Sequence, residues 1–442
     1  MERHYWIETY GCQMNKAESN ALVQQMAKDG WILAPSPKEA ELIILNTCSV
    51  RGTAETRIRG RIGYYKSLKR IHPHTLVVMG CMAERLKEKL KEEEPAVDLV
   101  VGTFQKGAFL SLLKGPGRSS YNEMRLDADS RYHFASGHYM EGEFKAFVPI
   151  MHGCNNFCSY CIVPYVRGRE VSRPPEEIFR ELESLRERQV REVTLLGQNV
   201  NSYRYEHGAG WTGFPDLLRQ IVQWYPEIPW IRFLTSHPKD LSDQVIDCLA
   251  EYPQLCKHLH LPVQHGSNRI LRSMNRKYDR ETYLHLVERL RKKVPSISLT
   301  TDILIGFPGE TEEDFRATLE LMEIVRFDDA FTYYYNPREG TKAYNLPDDV
   351  PLEVKLERLQ EVIDLQRRIG RENKEQRIGS RVKVLVEEVS KMKSTELLAR
   401  TERDEMVVLP GPGEWIGTFR EVELLALKGN TFWGNDTGWE NS

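Results

Sequence analysis

Apolar residues in this chain recur in short runs, separated by stretches of helical periodicity, and this alternation occurs in two successive series. In the first series, Tyr5–Tyr10, Leu42–Leu45 and Leu76–Met79 read as strands, and Ala17–Lys28 and Ile58–Ile71 as helices. That rhythm predicts an open α/β domain with a mainly parallel sheet over residues 1–118, ending in the loop-forming run Gly115-Pro116-Gly117-Arg118-Ser119-Ser120. In the second, Ala146–Ile150, Glu192–Leu196, Trp230–Leu234, His258–Leu261, Leu299–Leu304 and Ala330–Tyr334 read as strands. Pro175–Gln189, Asp216–Trp224, Arg280–Lys292 and Glu312–Ile324 supply helices between them, and Pro351–Gln376 a long charged helix after them. Six strands with crossover helices predict a partial (β/α)6 barrel of the TIM type over residues 140–375, with its chemistry at the C-terminal strand ends.

From about Ile378 the period shortens to two. Val382, Val384 and Val386 alternate with polar residues, Met406–Leu409 is a further apolar run, and Pro410-Gly411-Pro412-Gly413 forms a turn. These short strands predict a small β-barrel within residues 376–440.

Composition narrows the function classes. The chain has 442 residues, 40% apolar and 28% charged, as in ordinary globular proteins. No signal-peptide pattern opens it, and no apolar run approaches the roughly 20 residues of a membrane span. A cytoplasmic, membrane-free protein is expected. A net charge of −3 excludes a globally basic nucleic-acid binder and leaves only local patches. One patch includes Arg51, Arg57, Arg59, Arg61, Lys66, Lys69 and Arg70, and the other Arg367, Arg368, Arg371, Lys374, Arg377, Arg381 and Lys383. Each is either a solvated face or a phosphate contact.

Eight cysteines without a secretion signal argue for metal or redox use. Cys154, Cys158 and Cys161 have C-x-x-x-C-x-x-C spacing on one short stretch, with no fourth cysteine nearby. Three thiolates can hold three corners of a 4Fe-4S cube and leave one iron open to a reactant, which points to S-adenosylmethionine radical chemistry. A zinc site with a distant fourth ligand and coincidentally buried cysteines are the alternatives. Cys12, Cys48 and Cys81 each follow a predicted strand, and the carboxyl ends of parallel strands share one edge of a sheet. Their convergence would make a second cluster site, whereas Cys248 and Cys256 read as packing residues.

Polar and glycine residues after the barrel strands are candidates for cofactor contact. These are Gln198, Asn199, Ser236, Gln264, Gly306 and Gly309, with Phe157 and Tyr160 inside the cysteine loop either shielding a cofactor or anchoring the loop. His237 and His265 read as loop histidines rather than bases. No catalytic residue beyond the cluster ligands is assigned.

The Thr9–Asn15 run with Cys12, Asn46-Thr47-Cys48, Gly80-Cys81 and the Cys154/Cys158/Cys161 loop, taken in order, resemble the radical S-adenosylmethionine methylthiotransferases over essentially the whole chain. The region from Gln376 resembles that family's RNA-binding TRAM domain. Arg169-Glu170-Val171-Ser172-Arg173-Pro174, Gly197-Gln198-Asn199-Val200-Asn201-Ser202-Tyr203 and Thr235-Ser236-His237-Pro238 are similar to the branch acting on isopentenyl-type adenosine in tRNA. Threonylcarbamoyl adenosine and a ribosomal-protein aspartate are the substrates of the other branches. His152 departs from the acidic residue often found there, outside the ligand set. The resemblance implies two 4Fe-4S clusters, S-adenosylmethionine and an external one-electron donor. It also implies an enzyme that adds a methylthio group to C2 of N6-dimethylallyladenosine in a tRNA anticodon stem-loop; a monomer is expected, although the sequence carries no feature that fixes the oligomeric state. By the same resemblance, Arg57, Arg59, Arg61, Arg371, Lys374, Arg377 and Arg381 would contact that RNA. The C-terminal barrel would then be separable, its removal abolishing tRNA binding and sparing S-adenosylmethionine cleavage.

Overall fold

The computed structural model describes residues 2–49, 52–114, 134, 137, 139, 142–208 and 210–438. The Gly115–Ser120 run, Arg51 and the expected boundaries at 118 and 140 lie outside these residues. The first sheet contains β1 (Arg3–Thr9), β2 (Trp31–Leu33), β3 (Leu42–Thr47), β4 (Thr75–Gly80) and β5 (Leu99–Val101), in the order β2-β1-β3-β4-β5. Every pairing is parallel. All six residues of β3 are buried, as a central strand covered on both faces requires, which is why Leu42-Ile43-Ile44-Leu45 reads as an unbroken apolar run. The short outer strands β2 and β5 had no signature in the sequence, because three residues do not establish a period.

The second unit begins with β6 (Lys145–Pro149) and a short antiparallel pair, β7 (Met151–His152) with β8 (Val171–Ser172). It continues through β9 (Glu192–Leu196), the hairpin β10 (Arg204–His207) and β11 (Gly210–Gly213), then β12 (Trp230–Phe233), β13 (His258–His260), β14 (Ser298–Ile305) and β15 (Asp329–Tyr334). Strands β6, β9 and β12 form one parallel set and β13, β14 and β15 another. Backbone bonds from Ile231 to Gln254 and Cys256 join the two sets, giving the expected six-stranded partial barrel. Its outer helices start at side-chain caps, Ser242, Asp279 and Thr311, and the last forms a reciprocal capping box with Asp314.

Strands β16 (Arg381–Val389), β17 (Glu396–Thr401), β18 (Met406–Pro410), β19 (Phe419–Lys428) and β20 (Thr431–Asp436) close into a barrel around Val384, Val386, Leu397, Val407, Leu409, Val422, Leu424 and Phe432. This barrel is docked against the other unit rather than hanging from a linker. Trp230 packs edge-on to Phe419 at 4.8 Å, with Cys256 and Leu385 completing the apolar seam. Arg232 donates to the carbonyls of Thr401 (2.7 Å) and Glu402 (2.9 Å) and to Glu192 (2.7 Å), while Lys145 bridges Glu192 (3.0 Å) and Glu387 (2.6 Å). Lys145, Glu192 and Trp230 are the first residues of their strands, and Cys256 precedes β13. The small barrel therefore plugs the end of the large one opposite to where its strands finish, so removing it would also remove contacts of the large barrel. Deleting it would bare the Trp230 seam and strip Arg232 of two backbone acceptors.

The plug contributes to stability through that buried polar seam. Replacing Arg232 with Met leaves Glu192 buried with Lys145 alone, and removal of one buried partner costs on the order of 3 kcal/mol. Urea denaturation should show the loss; wild-type stability would mean that the apolar contacts suffice.

Candidate functional site

The chain from β7 to the helix Val163–Val166 carries Cys154, Cys158 and Cys161 beyond the C-terminal end of β6. Gly153 has φ +80°, and a Cβ there would lie 2.0 Å from the Arg169 carbonyl oxygen, so only glycine fits. The loop is pinned throughout. Cys154 N donates to Gly168 O (3.1 Å), Ser159 N to Met274 O (2.9 Å) and Asn275 Nδ2 to Phe157 O (2.8 Å). Phe157, itself at φ +47°, packs edge-on to Tyr165 and lies under Arg169 at 4.4 Å. Tyr160 packs against the Ile270, Met274 and Phe307 cluster. Both aromatic rings serve as anchors in this structure.

Burial pushes the Cys154 thiol up to about 11. Burial and then the neighbouring Cys158 push Cys161 up to about 12. Cys154 and Cys161 are thus poor isolated thiolates; a cationic iron centre is the partner that such a donor set needs to ionise.

The second triad lies at the carboxyl edge of the first sheet. Cys12 follows β1, Cys48 follows β3, and Cys81 starts the helix Cys81–Leu86 directly after β4. Gly11 (φ +124°) lies so close to Cys48 that an added Cβ would stand 2.4 Å from the Cys48 Cβ. At Gly80 (φ +96°) an added Cβ would be 2.5 Å from Thr47 O. Glycine at both points lets the three strand ends converge. Asn15 Nδ2 ties them together by donating to Tyr10 O (3.0 Å) and Thr47 O (2.9 Å). Among the described residues no group of three or more His, Cys, Asp or Glu side chains is drawn tightly enough around one point to hold a single metal ion. A cube takes one thiolate per iron, so its cysteines stand at separate corners rather than around one ion.

The two triads face each other. Cys81 packs against Ile162 and Val166, next to Cys161, and Thr103 Oγ1 donates to Val166 O at 2.5 Å. Arg338 Nη1 donates to Ser49 O at 2.5 Å, within electrostatic reach of both Cys48 and Cys161. Arg167, six residues after Cys161, crosses the junction to Glu18 (2.7 Å) and Asn15 Oδ1 (3.0 Å). Burial works against the Arg167 charge, but Cys81, Glu18 and Cys12 hold its guanidinium firmly protonated. His152 stands in this same junction, accepting from Arg167 at Nδ1 (3.4 Å) and edge-on to Phe104. Burial, then Arg167, keeps its imidazole neutral. The position that departs from the acidic pattern is therefore part of the contact between the triads, although it lies outside the ligand set.

The predicted cofactor contacts divide. Gln198, Asn199, Ser236 and Gln264 gather at the same C-terminal strand ends. Gln198 accepts from Gly153 N (2.6 Å), Asn199 bridges Asp240 (2.7 Å) and His237 N (3.2 Å), Ser236 meets Asn201 (3.4 Å), and Gln264 bonds the β14 backbone. Gly306 instead lies under Lys355, 2.5 Å from a would-be Cβ, and Gly309 is bound to Asp349 and Arg269. The Gly309 backbone is thus engaged at both its N–H and its carbonyl, and at Gly306 the Cβ side is filled by Lys355. Buried polar atoms without partners mark where a polar ligand fits: Nε2 of His237 and Nδ2 of Asn201. Burial, then Arg276 and Lys239, pushes the His237 imidazole down to about 2, so it stays neutral and offers a hydrogen bond rather than a proton. His265 is fully buried between Glu310 and Ser267 N and is structural.

The expected RNA contacts also divide. Arg57, Arg371 and Arg381 are exposed. Arg59 pairs with Glu93 (2.6 Å) and Glu94 (3.3 Å), and Arg61 with Glu8 and Tyr65. Lys374 is buried and donates to Asn430 of the small barrel, a correction to its expected role on the surface, and Arg377 pairs with Glu405. Arg377 and Arg381 line a cleft of about 660 Å³ between the two barrels, together with Arg291, Arg326, Lys383 and Arg403. The sequence missed Arg167, Arg276 and the donor role of His237, because isolated arginines carry no local pattern and a histidine's free nitrogen depends on its folded neighbours.

Family models match the chain in three consecutive stretches: the Uncharacterized protein family UPF0004 over residues 4–102, the Radical SAM superfamily over 148–322, and the TRAM domain over 375–432. The tRNA-2-methylthio-N(6)-dimethylallyladenosine synthase of Treponema denticola is 48% identical over 98% of this chain and 99% of its own length. The synthase of the same name from Porphyromonas gingivalis is 44% identical over 98% of this chain and 95% of its own. Among solved structures, the radical S-adenosylmethionine methyltransferase TsrM from Kitasatospora setae, with cobalamin and a [4Fe-4S] cluster bound, has a TM-score of 0.56. It covers 78% of this chain and 74% of its own at 14% identity, a likeness of fold alone. With such identity along almost its whole length, the chain belongs to the radical S-adenosylmethionine methylthiotransferase family, in the branch of the tRNA-2-methylthio-N(6)-dimethylallyladenosine synthases.

Proposed function

We propose that this protein adds a methylthio group to C2 of N6-dimethylallyladenosine in tRNA. In this reading Cys154, Cys158 and Cys161 hold the 4Fe-4S cluster that binds S-adenosylmethionine, and Cys12, Cys48 and Cys81 hold a second. The observation that carries the reading is the meeting of the two triads across the Cys81–Ile162 contact, at the mouth of one barrel. When bound, a cluster of this class with S-adenosylmethionine supplies a carbon radical able to act on an unactivated carbon. The chain positions and encloses that chemistry. The pinned loop fixes three thiols, His237 and Asn201 offer unpartnered donors to the cofactor, and the small barrel seals the opposite end. An external one-electron donor completes the system. No helix among the described residues is long and apolar enough to cross a membrane, and action on tRNA supports a cytoplasmic location in this reading.

Arg381 lies in the cleft beside the plug, at the end remote from the cysteines. A tRNA that touches it while its anticodon loop enters the mouth must lie along the flank of the large barrel. Phosphate contacts there would position the RNA, and base identity would be read at the mouth.

Three measurements test this reading. In tRNA from a strain lacking this gene and any second copy, nucleoside mass spectrometry should show loss of the methylthio-dimethylallyl nucleoside; an unchanged level rejects the assignment. Cys158→Ala should remove deoxyadenosine formation, while Cys48→Ala should retain some cleavage and lose sulfur insertion; the reverse pattern exchanges the roles of the triads. Arg371→Glu with Arg381→Glu in the full chain should weaken tRNA binding and reduce the slope of log affinity against log salt by about one per lost contact. Affinity and slope equal to wild type would remove these residues from the interface.

A further inference from the structure

Five arginines are buried among the described residues: Arg167, Arg173, Arg232, Arg276 and Arg358. Four face carboxylates: Arg167 pairs with Glu18, Arg173 with Glu181, Arg232 with Glu192 and Arg358 with Glu310. Arg276 is the exception. Its Nε donates to Tyr278 Oη (2.8 Å) and its Nη2 to Pro262 O (2.8 Å). Its Nη1 is aimed at Cys158 Sγ (3.3 Å), with Tyr160 Oη at 3.5 Å. Among the described residues no carboxylate ion-pairs with it. A buried guanidinium without a counter-charge is strongly unfavourable, and every neighbour but the thiol is a neutral oxygen. The missing negative charge therefore belongs on the sulfur side.

We propose that Arg276 is a positioning residue for the cluster on Cys154, Cys158 and Cys161: it orients the Cys158 thiolate and raises the reduction potential of that cluster. The inference rests on the reading of those cysteines as cluster ligands. Reduction moves one electron from an external low-potential one-electron donor to the cluster, adds one unit of negative charge, and requires no proton. A fixed cation at hydrogen-bond distance from a ligand sulfur stabilises the reduced form more than the oxidised one, and burial keeps water from screening it. The Tyr278 hydroxyl, which also meets Val263 O (2.9 Å), fixes the fork so that Nη1 faces the sulfur. The second triad has its own nearby cation in Arg167, so loss of Arg276 should affect one cluster only.

The test is an EPR-monitored redox titration of the reconstituted full chain, with iron and sulfide measured alongside. Arg276→Gln removes the charge at similar size, and Arg276→Lys keeps the charge without the fork. With both clusters loaded, Arg276→Gln should lower the reduced-to-oxidised ratio of the Cys154/Cys158/Cys161 cluster about tenfold at a fixed donor potential, roughly 59 mV for one electron. The other cluster, titrated alone in a Cys154/Cys158/Cys161→Ala protein with and without Arg276→Gln, should not move. Arg276→Lys should stay near the wild-type ratio. An unchanged ratio in fully loaded Arg276→Gln overturns the proposal. If Arg276→Gln fails to load, Arg276→Lys decides: a wild-type ratio supports the charge role, and a tenfold fall rejects it. Should the wild-type protein and the triple alanine protein bind equal iron, the cluster reading itself fails, a different outcome from an unchanged potential.

Discussion

The contact of Arg167 with Glu18 and Asn15 is the interaction on which the arrangement of the site depends. It reaches from the loop that carries Cys161 to the helix that begins beside Cys12, and thus joins the two thiol triads across the junction of the two α/β units. Two cations, Arg167 and Lys106, surround the single carboxylate of Glu18, and His152 stays neutral beside them. The excess of positive charge lies where thiolates and iron–sulfur groups would bring negative charge. Charge compensation across the junction, rather than apolar burial alone, sets the distance and orientation of the triads.

The direction of the strands determines everything else about placement. All strands of the first sheet and of the large barrel run parallel within their sheets, so chemistry-bearing residues collect at their carboxyl ends. The amino ends of the large barrel present Trp230 beside the charged Lys145, Glu192 and Arg232, and the small barrel covers them with Phe419, Leu385, Glu387 and the carbonyls of Thr401 and Glu402. A region that reads as an RNA-binding appendage is thus also the floor of the enzyme. The buried lysine at 374, bonded to Asn430, and the pair of Arg377 with Glu405 fasten the floor to the long helix. Part of a basic run is spent on holding domains together, and only the exposed members remain for phosphate.

The same sharing of roles appears in the mouth. Asn199 and Gln198 hold neighbouring loops, and Phe157 anchors the cysteine loop under Arg169. Rigidity around three thiols comes from hydrogen bonds between the loop backbone and Gly168, Gln198, Met274 and Asn275. The unpartnered donors of His237 and Asn201 are what remains for a ligand once those structural bonds are made.

The sequence alone determined the order of the longer elements, the six strands of the large barrel and the position of each cysteine of the two triads along the chain. Those features are local: an apolar run has a period, a three-cysteine loop has a spacing, and a cysteine after a strand has a fixed place on a sheet edge. Only the tertiary structure decided which charges are used up and which are exposed. Arg59 and Lys69 look equivalent to Arg57 in the sequence, yet each meets an acidic partner some thirty residues away, Glu93 and Asp98. Gly306 looks like an open turn until Lys355 of the long helix closes over it. Arg276 has no local signature at all, and its meaning comes from lying beside Cys158 without the carboxylate that the other four buried arginines among the described residues have. Electrostatic partnership depends on distance in space and on exclusion of water, and neither is set until the chain has folded.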